Sequence, residues 1–117
     1  MASEIAIQTL FRSRCRILAP AVALVAIPNA AKRTQWAAMQ AKREGMATGF
    51  PDMMALARGK VAFLEFKADK GKISDNQADW QERLIGMGFP CGVFRDADVA
   101  VEFLRFHGFP FIGRFAA

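Results

Sequence analysis

The stretch Val61-Ala62-Phe63-Leu64-Glu65-Phe66-Lys67-Ala68 is apolar except at two positions, an acid and a base two residues apart. So apolar a run suits a central strand buried on both faces of a sheet. The period of two then puts Glu65 and Lys67 on the same face. Charges buried there are costly unless they pair, bind a metal or meet water. A structural ion pair is one reading, although neighbours on one strand face are poorly aimed for it. Asp52, fixed by Pro51, starts the preceding strand, Asp52 to Ala57, and a tight turn at Arg58-Gly59-Lys60 joins it to Val61–Ala68. A hairpin that short makes Asp52 a plausible neighbour of Glu65, with the register deciding how close. Two carboxylates on adjacent strands form an oxygen-rich site suited to Mg²⁺ or Mn²⁺. A backbone carbonyl beside Glu65, most simply that of Phe66, could add a ligand. Lys67 would stand near the attacking water, to orient or help deprotonate it and to steady the charge on a phosphate.

The rest of the chain must position these residues. Ser3 can cap a first helix in which Ile7, Leu10 and Phe11 recur at helical spacing. Glu4 shares their inward face, an unusual place for an acid unless it serves the helix dipole or a site. Ala21 to Ile27 reads as a short buried strand. Arg12, Arg14 and Arg16 before it and Asn29-Ala30-Ala31 after it imitate a signal peptide. The apolar run is too short to span a bilayer, which needs about 20 such residues, so the strand reading is preferred. A second helix is expected from about Lys32 to Glu44, with Trp36, Met39 and Gln40 at helical spacing and Gly45 stopping it. A flexible loop, Gly45 to Pro51, follows; it lacks the ending of a phosphate-binding P-loop.

After the basic loop Lys70-Gly71-Lys72, the run Ser74-Asp75-Asn76-Gln77 is a capping-box signature. The helix it opens carries Trp80, Leu84 and Met87 on its apolar face. Cys91 to Phe94 is a last strand, and Asp96 caps a helix with Val99, Phe103 and Phe106. The tail from Phe109 to Ala117 is apolar and has no clear place. The order is αβαββαβα: an α/β fold, a single domain over 1–117, with helices around a mixed sheet.

Composition sets the bounds. Eleven Phe, no Tyr and 53% hydrophobic residues imply an ordinary, phenylalanine-rich core rather than disorder. The net charge of +5 and the pI near 9.8 favour an anionic partner. Cys15 and Cys91 have no CxxC and no histidine cluster around them, so they read as reduced, packed thiols of a cytoplasmic protein. His107, before Gly108, fits a cation at a helix C-terminus better than a catalytic base.

Pro51-Asp52 followed by Glu65-Phe66-Lys67 resembles the PD-(D/E)xK nuclease superfamily. The surroundings narrow this: Gly45-Met46, Gly49-Phe50-Pro51-Asp52, Phe63 to Lys67, Gly71-Lys72-Ile73-Ser74, Gln77 and Trp80 are similar to the virus-type replication-repair nuclease (VRR-NUC) domain. Ile27-Pro28-Asn29 and the early Glu4 match it too, so the resemblance covers roughly residues 3–95. It implies a restriction-endonuclease-like mixed β-sheet flanked by helices. It also implies that Asp52 and Glu65 ligate the metal, that Glu4 completes the metal site and that Lys67 is the catalytic lysine. Gln77 would help to position the site, although glutamine there also completes the capping box. Arg33, Lys60, Lys70 and Lys72, with Arg12 as a further member, are candidates for tracking DNA phosphates, which positions a duplex without reading its sequence.

The function expected is hydrolysis of DNA phosphodiester bonds by metal-activated water, in a structure-specific, junction-resolvase-like endonuclease of replication or repair. The resemblance implies a small homodimer acting on branched DNA, with the apolar tail as a candidate interface, no membrane and a phage or bacterial origin. Two other readings stand beside it: a non-catalytic basic nucleic-acid-binding module, and a subunit active only with a replication or repair partner protein.

Overall fold

Gly59, at φ +70°, lets Arg58-Gly59 turn the chain in two residues, and the two strands pair antiparallel from Ala57↔Lys60 to Met53↔Leu64. The computed structural model describes residues 2–28, 34–45 and 47–114. Its elements are α1 (Glu4–Leu18), β1 (Ala23–Ala26), α2 (Gln35–Arg43), β2 (Met53–Ala57), β3 (Lys60–Phe66), α3 (Asp75–Gly86), β4 (Cys91–Phe94) and α4 (Ala97–Phe106). This is the expected order. The sheet runs β1-β2-β3-β4 and is mixed: β1 and β3 are antiparallel to β2, and β4 is parallel to β3.

The period of two in β3 divides the core. Ala62, Leu64 and Phe66 face α1 and α4, where they meet Ile7, Phe11, Cys15, Ala100, Val101 and Leu104. Phe63 and Val61 face α3 and pack with Leu84, Trp80, Met54 and Cys91. Helices thus cover both faces of the sheet, which is why β3 is buried almost throughout.

Several amphipathic faces differ from expectation. On α1 the buried residues are Ile7, Phe11, Cys15 and Leu18, while Leu10 is exposed. On α4 they are Ala97, Ala100, Val101 and Leu104; Phe103 is half-buried, and Val99 and Phe106 face outward. Met87, beyond the end of α3, is exposed, as are Trp36 and Met39 of α2. On α4 the small residues Ala97 and Ala100 take the close contact and the larger apolar neighbours are displaced outward. The segment expected as a buried strand is the sheet's edge strand β1, with Ala23, Val25 and Ala26 exposed. Arg12, Arg14 and Arg16 lie within α1, and among the described residues no helix is long and apolar enough to cross a membrane.

The tail folds back on the core. Phe109 is buried, the Ile112 N–H donates to the Leu18 carbonyl at 2.7 Å, and the Arg105 guanidinium lies 4.4 Å from the Phe111 ring centre. His107 caps the C-terminus of α4 and packs edge-on against Phe103 and Phe106.

Candidate metal centre

Continuing the β2–β3 register by one residue places Asp52 opposite Glu65. Asp52 stands one residue ahead of β2, and its side chain closes the hairpin in place of a main-chain carbonyl. Its Oδ2 accepts from the Phe66 N–H at 2.9 Å, and its own carbonyl accepts from the Ile27 N–H at 2.8 Å. Asp52 is therefore tied to β3 on one side and to the end of β1 on the other. Because the Phe66 N–H points toward Asp52, the Phe66 carbonyl also lies on that edge of β3.

Glu65 is 1% exposed. Its Oε2 accepts from the Gln77 side-chain amide at 3.3 Å. Gln77 is held by the capping box at the start of α3, where its Oε1 accepts from the Ser74 N–H at 2.9 Å and its own N–H donates to Ser74 Oγ at 3.1 Å. The two readings of Gln77, cap and site residue, are thus one arrangement. Its oxygen is committed to the backbone, so its NH₂ faces the carboxylate.

Glu4 comes from the opposite face of the sheet. Ser3 caps α1, and the Phe11 ring packs on Phe66 with centroids 5.4 Å apart, which sets the helix over the end of β3. The carboxylates of Glu4, Asp52 and Glu65 then each offer an oxygen within 4.8 Å of the others. Three ionised carboxylates that close repel by about 3 kcal/mol per pair at an effective dielectric near 20. A divalent cation turns that repulsion into attraction, and all-oxygen ligands suit Mg²⁺ or Mn²⁺. The donor set fits such an ion.

A family model for the VRR-NUC domain matches residues 7–98. The chain belongs to the VRR-NUC domain family. A solved structure described as a "VRR_NUC domain protein" has the same fold: TM-score 0.71 over 92% of this chain and 89% of that one, at 16% identity. No functionally curated protein matches the chain. The VRR-NUC family is a nuclease family.

Around this VRR-NUC centre the other expected residues are unevenly placed. Lys67 lies just past β3, but its N–H still donates to the Phe94 carbonyl at 3.0 Å, so the ladder and its alternation extend to it. It stays on the Glu65 side, half-buried, with its stem passing Gly71. Lys70 and Lys72 are exposed on the loop between Lys67 and the Ser74 cap, beside the site. Lys60 is at the other end of β3, about 16 Å of strand from Glu65, with its ammonium next to Gly108. Arg33 lies outside the described residues.

Two supporting residues had escaped the sequence reading. Gly49, in the segment expected as a flexible loop, is buried, at φ +84°, and a Cβ there would stand 2.7 Å from the Asn76 backbone. The next residue, Phe50, packs edge-on against Phe63 and Trp80. The chain entering Asp52 is thereby pinned to the start of α3, a contact only Gly allows at that distance. Arg95 donates to the Ala68 and Asp69 carbonyls at 2.7 and 3.3 Å, bracing the loop after Lys67. The glycine two residues before the Pro51-Asp52 pair is the available signal for the first; Arg95 has none.

Cys91 is a neighbour of the site. Burial, and then the charge of Glu65, push its thiol up to about 11, and its Sγ donates to Gln81 Oε1 at 3.1 Å. Burial likewise raises Cys15 to about 11, against a small opposing pull from Arg105. Both cysteines are free and buried, as expected.

Proposed function

We propose that this chain is a metal-dependent deoxyribonuclease that hydrolyses DNA phosphodiester bonds at the Glu4–Asp52–Glu65 centre. The observation that carries the reading is the convergence of three carboxylates from α1, the entry to β2 and the end of β3. Glu4, Asp52 and Glu65 would hold Mg²⁺ or Mn²⁺, with the Phe66 carbonyl on the same edge as a further oxygen. A divalent ion supplies Lewis acidity, making water a stronger acid and drawing charge from a phosphate.

The chain's own residues do the rest. Lys67, on the Glu65 side, orients the attacking water and balances the charge that grows on the phosphate in the transition state. Gln77 fixes the Glu65 carboxylate, and the Phe66 N–H fixes that of Asp52; such supporting bonds hold ligands in productive geometry. Lys70 and Lys72 border the centre and would take phosphates of the bound strand. A homodimer acting on branched DNA in replication or repair is the assembly that the family resemblance suggests. With Phe109 and Phe111 packed inward, the apolar residues free for such an interface include Phe106 and Ile112, 84% and 75% exposed.

The test is cleavage of labelled linear, flapped and four-way-junction DNA with Mg²⁺, Mn²⁺ or EDTA, with Lys67→Ala and Glu65→Ala proteins alongside. Metal-dependent cutting that disappears in both folded variants is the expected result. Tight binding without cutting by the wild type would favour a binding module, and cutting that survives in both variants would place the active site elsewhere.

A further inference from the structure

Glu4, Gln8, Arg12 and Arg16 are spaced four apart along α1 and so form one row on its surface. The row begins at the carboxylate centre and leads away from it. Glu4, Gln8 and Arg12 are half-buried and Arg16 is exposed. At 1.5 Å per residue, Arg12 and Arg16 lie about 12 and 18 Å along the helix from Glu4. The row faces away from α4, the side on which Arg14 reaches Asp98 at 3.0 Å.

The charges on the two sides of the helix are treated differently. Arg14, Arg105 and Arg114 are all ion-paired, to Asp98 or Glu102. Among the described residues, neither Arg12 nor Arg16 has an ion pair. They rim a cavity of about 400 Å³ between α1 and the edge of the sheet, together with Cys15, Ala19, Pro20, Val22 and Leu24. Apolar side chains make up part of its wall beside nearly as much polar surface, and its rim carries two cations without an ion pair among the described residues. A nucleotide has that duality: phosphate for the rim, sugar and base edge for the apolar part of the wall.

We infer that the Arg12–Arg16 row and the cavity beneath it bind the backbone of the substrate DNA strand away from the cut, so that α1 fixes the strand's path into the centre. The inference rests on the nuclease reading, which it deepens. Strand phosphates advance about 3.4 Å per nucleotide along a duplex axis, so the two arginines meet the strand roughly four to five nucleotides from the Glu4 end. Neither is a catalytic residue; both position the substrate.

The experiment is binding of the full chain to a labelled 20-base-pair duplex in EDTA, by fluorescence anisotropy across a salt series. It compares wild type, Arg12→Gln/Arg16→Gln, Arg12→Lys/Arg16→Lys and Arg83→Gln. The last removes a charge from the exposed last turn of α3, on the face of the sheet opposite α1. Circular dichroism melts confirm folding. The glutamine pair is expected to weaken binding roughly ten- to a hundredfold near 0.1 M salt and to reduce the salt slope by about 2. The lysine pair should retain most of the affinity and the full slope, and Arg83→Gln should match wild type. Unchanged binding by the glutamine pair, or an equal loss per charge in Arg83→Gln, overturns the inference while leaving the nuclease reading in place. Failure of the wild type to bind DNA at all overturns both.

Discussion

Gln77 and Glu65 join the helix that follows the hairpin to the hairpin itself, with amide Nε2 and carboxylate Oε2 3.3 Å apart. The direction of that bond is set elsewhere, because Gln77 Oε1 is occupied by the Ser74 N–H. The helix cap and the contact with Glu65 are therefore two ends of one side chain. Gln77→Ala should cost about 1 kcal/mol of stability through the cap and lower metal affinity or activity roughly 10- to 100-fold. Gln77→Glu keeps the acceptor that the cap needs but turns an acid toward Glu65. Because that repulsion exceeds what the cap contributes, it should melt below the alanine variant in EDTA as well as lose activity. Thermal melts and a Mg²⁺ titration of cleavage separate the two effects.

Gly49 and Gly45 both have positive φ, but only Gly49 is crowded. Gly45→Ala should carry the backbone strain alone, about 1 kcal/mol. Gly49→Ala adds a 2.7 Å clash with the Asn76 backbone and should be clearly more destabilising, with reduced activity because the displaced segment carries Asp52. Urea melts of both variants check the order; equal losses would mean that the loop is not pinned.

Mutual repulsion of Glu4, Asp52 and Glu65 makes a signed prediction without any activity measurement. Mg²⁺ or Mn²⁺ at about 100 times its dissociation constant should raise the wild-type melting temperature by on the order of 10 °C. Asp52→Asn and Glu65→Gln should melt at or above the wild type in EDTA and gain little from metal. A full metal-induced rise in either variant would show that the ion binds elsewhere.

The cysteines give a pH dependence with a definite sign. Both folded thiols are raised from an ordinary value of 9.0 to about 11, so the folded state holds these protons more tightly than the unfolded chain. Their contribution to stability is complete below about pH 9 and is lost as pH rises toward 11. At pH 8 both should react slowly with a thiol reagent until the protein unfolds. Cys91→Ala should flatten part of the decline in melting temperature between pH 9 and 11.

How much of this is legible in the sequence depends on the range of the interactions. Local chemistry reads directly: the Ser74–Gln77 capping box, a tight turn around Gly59, the period of two in β3 and the order of the eight helices and strands all follow from neighbours along the chain, although Lys60, read as part of the turn, is the first residue of β3. The pairing of Glu65 with Asp52 is nearly as accessible, because a hairpin turn of known length dictates register.

What only the tertiary structure decided is which faces meet. Small residues such as Ala97 and Ala100 allow α4 its close approach and leave Val99 and Phe106 outside, a choice that hydrophobic periodicity cannot make. The convergence of Glu4 with Asp52 and Glu65 depends on Phe11 seating α1 across Phe66, and the stillness of Gly49 depends on a helix that begins 26 residues later at Asp75. The sequence by itself determined the residue types, the elements and the local register, because hydrogen bonds and side-chain alternation act between near neighbours. The geometry of the centre came from packing between elements distant in the chain.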